Sequence, residues 1–185
     1  MYMDLNRIAP YCGLLSSAAF IILWVAAAML DPDWSLGKLS LSDLGNCGID
    51  SAEICFNMAC ASSGALGIVF SLGMIDRGGI FRICGFFSLC CCFLVISIGI
   101  IDLGYGQPHL TVAFLYSISA TLCMVISSYG DWKDGKRKTS IFTVIMLLLC
   151  ALMVTTQSFE VFEPFAICCI LTWTATQSLK MLKYQ

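Results

Sequence analysis

A chain of 185 residues in which 59% are hydrophobic and only 12% charged carries more apolar surface than a globule of this size can hide, which excludes a water-soluble domain. Ten Lys and Arg stand against twelve Asp and Glu, and no nucleic-acid partner is expected of a net charge of −2. The bilayer is the solvent, and membrane lipids are the first partners to expect.

Segments long enough for a hydrocarbon core of about 30 Å recur six times, at about 9–30, 53–74, 80–102, 109–129, 139–157 and 163–180. The fold class is therefore all-α: a polytopic membrane protein with six transmembrane helices in a compact bundle, forming one domain over residues 1–185. Pro10 falls in the first turn of helix 1 and Pro32 just beyond its end, where proline costs least. Val25-Ala26-Ala27-Ala28 resembles a signal-peptidase site. The apolar run is longer than a signal sequence uses, however, and helix 1 is expected to remain in the mature protein.

The only long connection follows. It contains Ser40-Leu41-Ser42-Asp43-Leu44-Gly45, in which Ser40 and Asp43 have the spacing of a capping box and Gly45 or Gly48 ends the turn. Long ordered loops commonly serve as lids, so this one is expected to fold back over the bundle, with Ser42 and Asp43 approaching Asn57 and His109. Helix 2 opens with Glu53 and Asn57, four apart on one face, the carboxylate suiting a helix N-terminus. Deeper in, Ala59, Ser63, Gly67 and Ser71 make a ladder of small residues, expected to pack within the chain, with a homodimer or another membrane protein as the alternative occupant. Helix 3 is expected to end on Asp102, where the helix dipole disfavours an anion; seven residues on stands His109, the single histidine. The two read as a polar clasp or, alternatively, as an acid–base pair. Gly130 to Lys138 reads as a basic connection with an interfacial Trp132.

Lys and Arg in short loops stay on the cytoplasmic side. Arg7, Arg77, Arg82, Lys133, Lys136, Arg137, Lys138, Lys180 and Lys183 fall at the termini or in the turns after even-numbered helices, and Lys38 alone lies on the other face. Both termini are thus expected in the cytoplasm, with the protein multi-pass in the cell membrane. The outer face, with Asp31, Asp33, Asp43, Asp50, Glu53, Asp102, Glu160 and Glu163, is acidic. Of twelve cysteines, ten sit in apolar runs, where a thiol packs as a small hydrophobe. Cys47 and Cys55 lie near the outer surface, and spacing leaves open whether they are bridged. No ligand set for zinc, haem or an iron–sulfur cluster is visible, so neither a metal nor another cofactor is expected.

Pro32-Asp33-Trp34-Ser35, Leu41-Ser42-Asp43-Leu44-Gly45, Phe56-Asn57, Gly64 and the later Pro108-His109 together resemble the pattern of a prokaryotic membrane family, domain of unknown function 998 (DUF998). Trp34 and Leu41 stand where that family usually has Tyr and Ile. The resemblance implies six transmembrane helices and no established reaction, and it carries over Ser42, Asp43, Asn57 and His109 as candidate site positions.

Three readings of function follow. The favoured one is a small membrane scaffold or accessory subunit with a polar, lipid-binding pocket at its outer face, formed by Ser42, Asp43, Glu53, Asn57, Asp102 and His109. The alternative is an intramembrane enzyme acting on a lipid or isoprenoid at the outer leaflet, with Asp43, Asp102 and His109 as acid–base or metal-holding groups. A transporter, which calls for charges or broken helices near mid-membrane, has less support.

Overall fold

The computed structural model describes residues 5–183. It contains α1 (Leu5–Leu30), α2 (Asp50–Asp76), α3 (Gly79–Ile100), α4 (Gln107–Lys133), α5 (Arg137–Thr156) and α6 (Phe159–Lys183). All six are long and apolar enough to cross a membrane, which is where an all-helical chain of this hydropathy satisfies its backbone polar groups without water. Each helix packs on the next, and α6 closes the ring against α1. One end of the bundle carries the loop 31–49; the other, here the basic end, carries the start of α1, the end of α6 and the Lys and Arg turns.

Several helices run further than the apolar stretches suggest: α1 starts at Leu5, so Pro10 lies inside it and not in its first turn, and α6 and α4 are extended at the ends that matter for the site and for the basic end. Ser158 accepts from the Val161 and Phe162 amides at 3.2 and 3.0 Å and starts α6 a turn ahead of Pro164, with Glu160 in the first turn as the helix dipole favours. At the basic end α4 continues to Lys133, so Asp131 belongs to a helix and not to the expected connection. It is fully buried, and its Oδ1 accepts from Lys180 Nζ of α6 at 2.5 Å while Oδ2 accepts from Gln177 Nε2 at 3.0 Å. Trp173 Nε1 donates to Ser127 Oγ at 2.8 Å one turn further in.

Hydroxyls and thiols join the seams. Ser16 pairs with Ser63 at 2.9 Å between α1 and α2, Ser71 with Ser88 at 2.7 Å between α2 and α3, and Ser128 with Ser140 at 3.0 Å between α4 and α5. Cys84 and Cys123 exchange S–H to carbonyl contacts of 3.3 and 3.6 Å between α3 and α4. Ser17 Oγ donates to the Leu171 carbonyl at 3.1 Å between α1 and α6. Apolar surface gains little from leaving lipid, so such bonds and close packing supply much of the helix association. The helix 2 ladder faces α1 and α3 within the chain: Ala59, Ser63, Gly67 and Ser71 are all buried, and a Cβ on Gly67 would lie 2.7 Å from Cys92 Sγ. On the facing helix a Cβ at Gly85 would come within 2.9 Å of the Ser71 carbonyl oxygen. Only glycine allows that backbone approach.

α5 is the exception to tight packing. Its buried residues are Ser140, Thr143 and Met146, all in the half towards the basic end. From Leu147 onward its side chains are half-buried or exposed. Towards the loop end α5 therefore stands off, and a space remains between α4 and α6.

Candidate functional site

The loop 31–49 is stitched by its own side chains. Buried Asp31, just after α1, accepts from the Asp33 and Trp34 amides at 3.0 and 3.3 Å, and Trp34 Nε1 donates to the Ser40 carbonyl at 2.8 Å. Asp43 Oδ2 accepts from both the amide and the hydroxyl of Ser40 at 2.7 Å, and the Asp43 amide donates back to Ser40 Oγ at 3.3 Å. This is the reciprocal bonding of a capping box, and it shapes the short 3-10 turn Ser42–Gly45. Leu41 and Leu44, 2% and 0% exposed, drive the turn down onto Phe20, Phe56 and Ile98 of the bundle. The segment is a lid held by apolar contact.

Its polar anchor comes from the far end of the sequence. Glu163, in the first turns of α6, accepts from the Leu41 amide on Oε2 at 2.6 Å and from Ser42 Oγ on Oε1 at 3.0 Å. The two donors solvate both oxygens of the carboxylate in place of water. His109, buried at the head of α4, lies within electrostatic reach of Glu163. Its Nδ1 is 2.6 Å from the Ile101 carbonyl, and because a carbonyl only accepts, Nδ1 carries the hydrogen and Nε2 is the nitrogen left to gain or lose a proton.

The sequence candidates divide accordingly. Ser42 and His109 come together around Glu163. Asn57 lies under the lid, with its Oδ1 3.2 Å from where a Gly45 Cβ would be and without a hydrogen-bond partner. Asp43 serves Ser40 and does not reach towards Asn57 or His109. Glu53 accepts from the Gly48 amide at 2.7 Å and ties the end of the loop back to the first turns of α2. Asp102 lies beyond the end of α3 and caps the following turn through the Gly104 amide at 2.8 Å. The partner of His109 is thus the Ile101 main chain, where the sequence suggests the Asp102 carboxylate. A carboxylate two residues after a helix finds its own backbone donors first. Cys47 and Cys55 are free thiols.

Beneath the lid lies a cavity of about 450 Å³. Phe20, Phe56, Ile98, Phe114, Val154 and Ile167 bring one side chain to it from each of the six helices, and Ser42 and Glu163 supply polar atoms at its loop end. Phe114, Val154 and Phe159 on its wall are more than half exposed, so it opens sideways where α5 stands off. A smaller chamber of about 60 Å³ shares Val95, Tyr116 and Ile170 with it and is floored by Ser16, Ser63, Ser88 and Thr174. From Glu163 to Thr174 the two extend roughly 16 Å along α6 at about 1.5 Å per residue, about half of a hydrocarbon core of roughly 30 Å.

The family described as Protein of unknown function (DUF998) has a model that matches residues 14–179. The chain belongs to that family. The match to DUF998 runs from α1 almost to the end of α6 and takes in the lid, Glu163 and the cavity walls. Neither a curated protein nor a solved structure matches the chain. Sequence reasoning missed Glu163, counting it only among the acids of one face. The available signal was its place inside Val161-Phe162-Glu163-Pro164-Phe165, an acid flanked by large apolar residues, which in a membrane helix calls for an explanation.

Proposed function

We propose that this protein is an accessory membrane protein that binds, without chemical conversion, the apolar body of a membrane amphiphile in the cavity between α4 and α6. The single observation behind the reading is the cavity itself: about 450 Å³, within the usual range for small-molecule sites, mostly apolar with a few polar groups at one end. The depth of one leaflet and the sideways opening suit entry from lipid. With the termini in the cytoplasm, as the bias of Lys and Arg suggests, the opening meets the outer leaflet. An enzyme reading finds less support, because Asp43, Asp102 and His109 each serve a separate stretch of backbone and do not converge as an acid–base set must.

Filling the cavity tests this. Ala166 lines it, and Ala166→Trp places an indole in the space. Protein purified in maltoside from a membrane host is extracted and its retained lipid measured by mass spectrometry, alongside thermal unfolding. Retention should fall severalfold in Ala166→Trp with little change in unfolding temperature. Equal retention in both proteins refutes the reading.

A further inference from the structure

Resting on that reading, we infer that the cavity selects a lipophilic cation, an amphiphile whose apolar body carries an ammonium group, and that Glu163 is its counter-ion. Glu163 takes part in no ion pair among the described residues, whereas the acids buried or clustered at the basic end have Lys or Arg partners: Asp131 with Lys180 at 2.5 Å and Asp134 with Arg77 at 2.9 Å. An acid inside a membrane protein with no counter-charge marks a functional position whose partner has to be named. Three features name a cation. The carboxylate lines the cavity wall together with the rings of Phe20, Phe56, Phe114, Tyr116, Phe159 and Phe162, and aromatic faces with a carboxylate are the usual surroundings of a bound ammonium group. The loop end of the bundle is acidic throughout, with exposed Lys38 as its only Lys or Arg, so a phosphate or carboxylate head would meet repulsion there. The one titratable group facing Glu163 that can become positive is His109, and its Nδ1 is held by the Ile101 carbonyl. Its contact goes to that carbonyl, and those of Glu163 go to Leu41 and Ser42, so the two form no ion pair.

The lid gives this assignment a fixed geometry. The Leu41 amide and Ser42 hydroxyl hold one oxygen each, and the Ser42 amide also faces the carboxylate, so it cannot swing away to solvent and its charge stays at the cavity wall. A quaternary ammonium, which donates no hydrogen bond, suits such a site because it needs only proximity to charge and rings.

Equilibrium binding of radiolabelled dodecyltrimethylammonium, dodecanol and laurate to the protein in maltoside micelles at about pH 8, where a free carboxylate such as laurate is ionised, decides the matter. The cation should bind the wild type at least about tenfold more tightly than dodecanol or laurate, and Glu163→Gln should abolish that preference while keeping dodecanol binding, as happens when a desolvated charge pair loses one partner. Equal binding of dodecyltrimethylammonium and dodecanol by the wild type overturns the cation assignment without any variant and leaves the cavity reading standing, as does a preference that survives in Glu163→Gln. If none of the three amphiphiles binds above empty micelles, the cavity reading falls and the assignment with it.

Discussion

Removing one member of the buried pair at the basic end should cost far more than removing both. Asp131 has no exposed surface and Lys180 is 7% exposed; the two meet at 2.5 Å, and Gln177 bonds to each of them. Hydrogen bonds between membrane helices average only about 0.6 kcal/mol, so if these contacts counted merely as hydrogen bonds, Lys180→Met would cost roughly 1 kcal/mol. The charge changes the estimate. Lys180→Met strands a carboxylate with Gln177 Nε2 as its one remaining donor from this cluster, and a buried ion left without its partner costs about 3–5 kcal/mol. Asp131→Asn strands the ammonium, which keeps Gln177 Oε1 and the Phe81 ring 4.5 Å away and should fall at the lower end of that range. The double variant leaves no orphan charge and should cost about 0–2 kcal/mol, since an apolar replacement of a buried pair is often neutral. Unfolding of the four proteins in mixed micelles, compared as a double-mutant cycle, gives the coupling directly. Single losses below about 1 kcal/mol, or a double loss equal to their sum, would refute the view of Asp131 and Lys180 as a mutually dependent pair.

Gly67→Leu pushes a side chain against Cys92 Sγ, where even a Cβ would sit at 2.7 Å; a stability loss of about 1–3 kcal/mol is expected, with no change in oligomeric state by light scattering. Asp43→Ala removes the acceptor of both Ser40 donors and should weaken the lid by about 1–2 kcal/mol, read as faster amide exchange over residues 40–45 with little shift in global unfolding. Burial pushes the Cys47 thiol up from its ordinary value, so less of it is thiolate at a given pH. Labelling by an impermeant maleimide should therefore be slower than for a free cysteine and keep rising at pH values where the free thiol has levelled off. Modification in intact cells, absent in Cys47→Ser, places the lid outside; modification only after lysis reverses the assignment of the termini.

The helices were legible because a bilayer leaves the chain almost no choice: runs of about 20 apolar residues between polar turns can only be spans. The capping box was legible for a similar reason, since Ser40 and Asp43 are three apart and their bond is local. What spacing could not supply was the partner of Ser42. Glu163 lies 121 residues away, and only the closure of α6 onto α1 brings it under the lid. His109 and Asp102 misled in the opposite sense. Their closeness in sequence suggested a pair, yet each found a nearer backbone partner in Ile101 and Gly104. The cavity was invisible for a third reason: it depends on how α5 leans, and α5 has the same uniform apolarity whether it leans in or out.

The bond between Leu41 and Glu163 also sets an order on synthesis. The two residues are 122 apart, so at about 5–20 residues per second the lid waits roughly 6–24 s after its own emergence for the acceptor that completes it. Throughout that interval the Leu41 amide and the Ser42 hydroxyl lack their final partner. A chain arrested before its last helix therefore carries a lid that Leu41 and Leu44 can already seat on Phe20, Phe56 and Ile98 of the first three helices but whose polar end is unlatched, so apolar seating and polar latching are separate events in time.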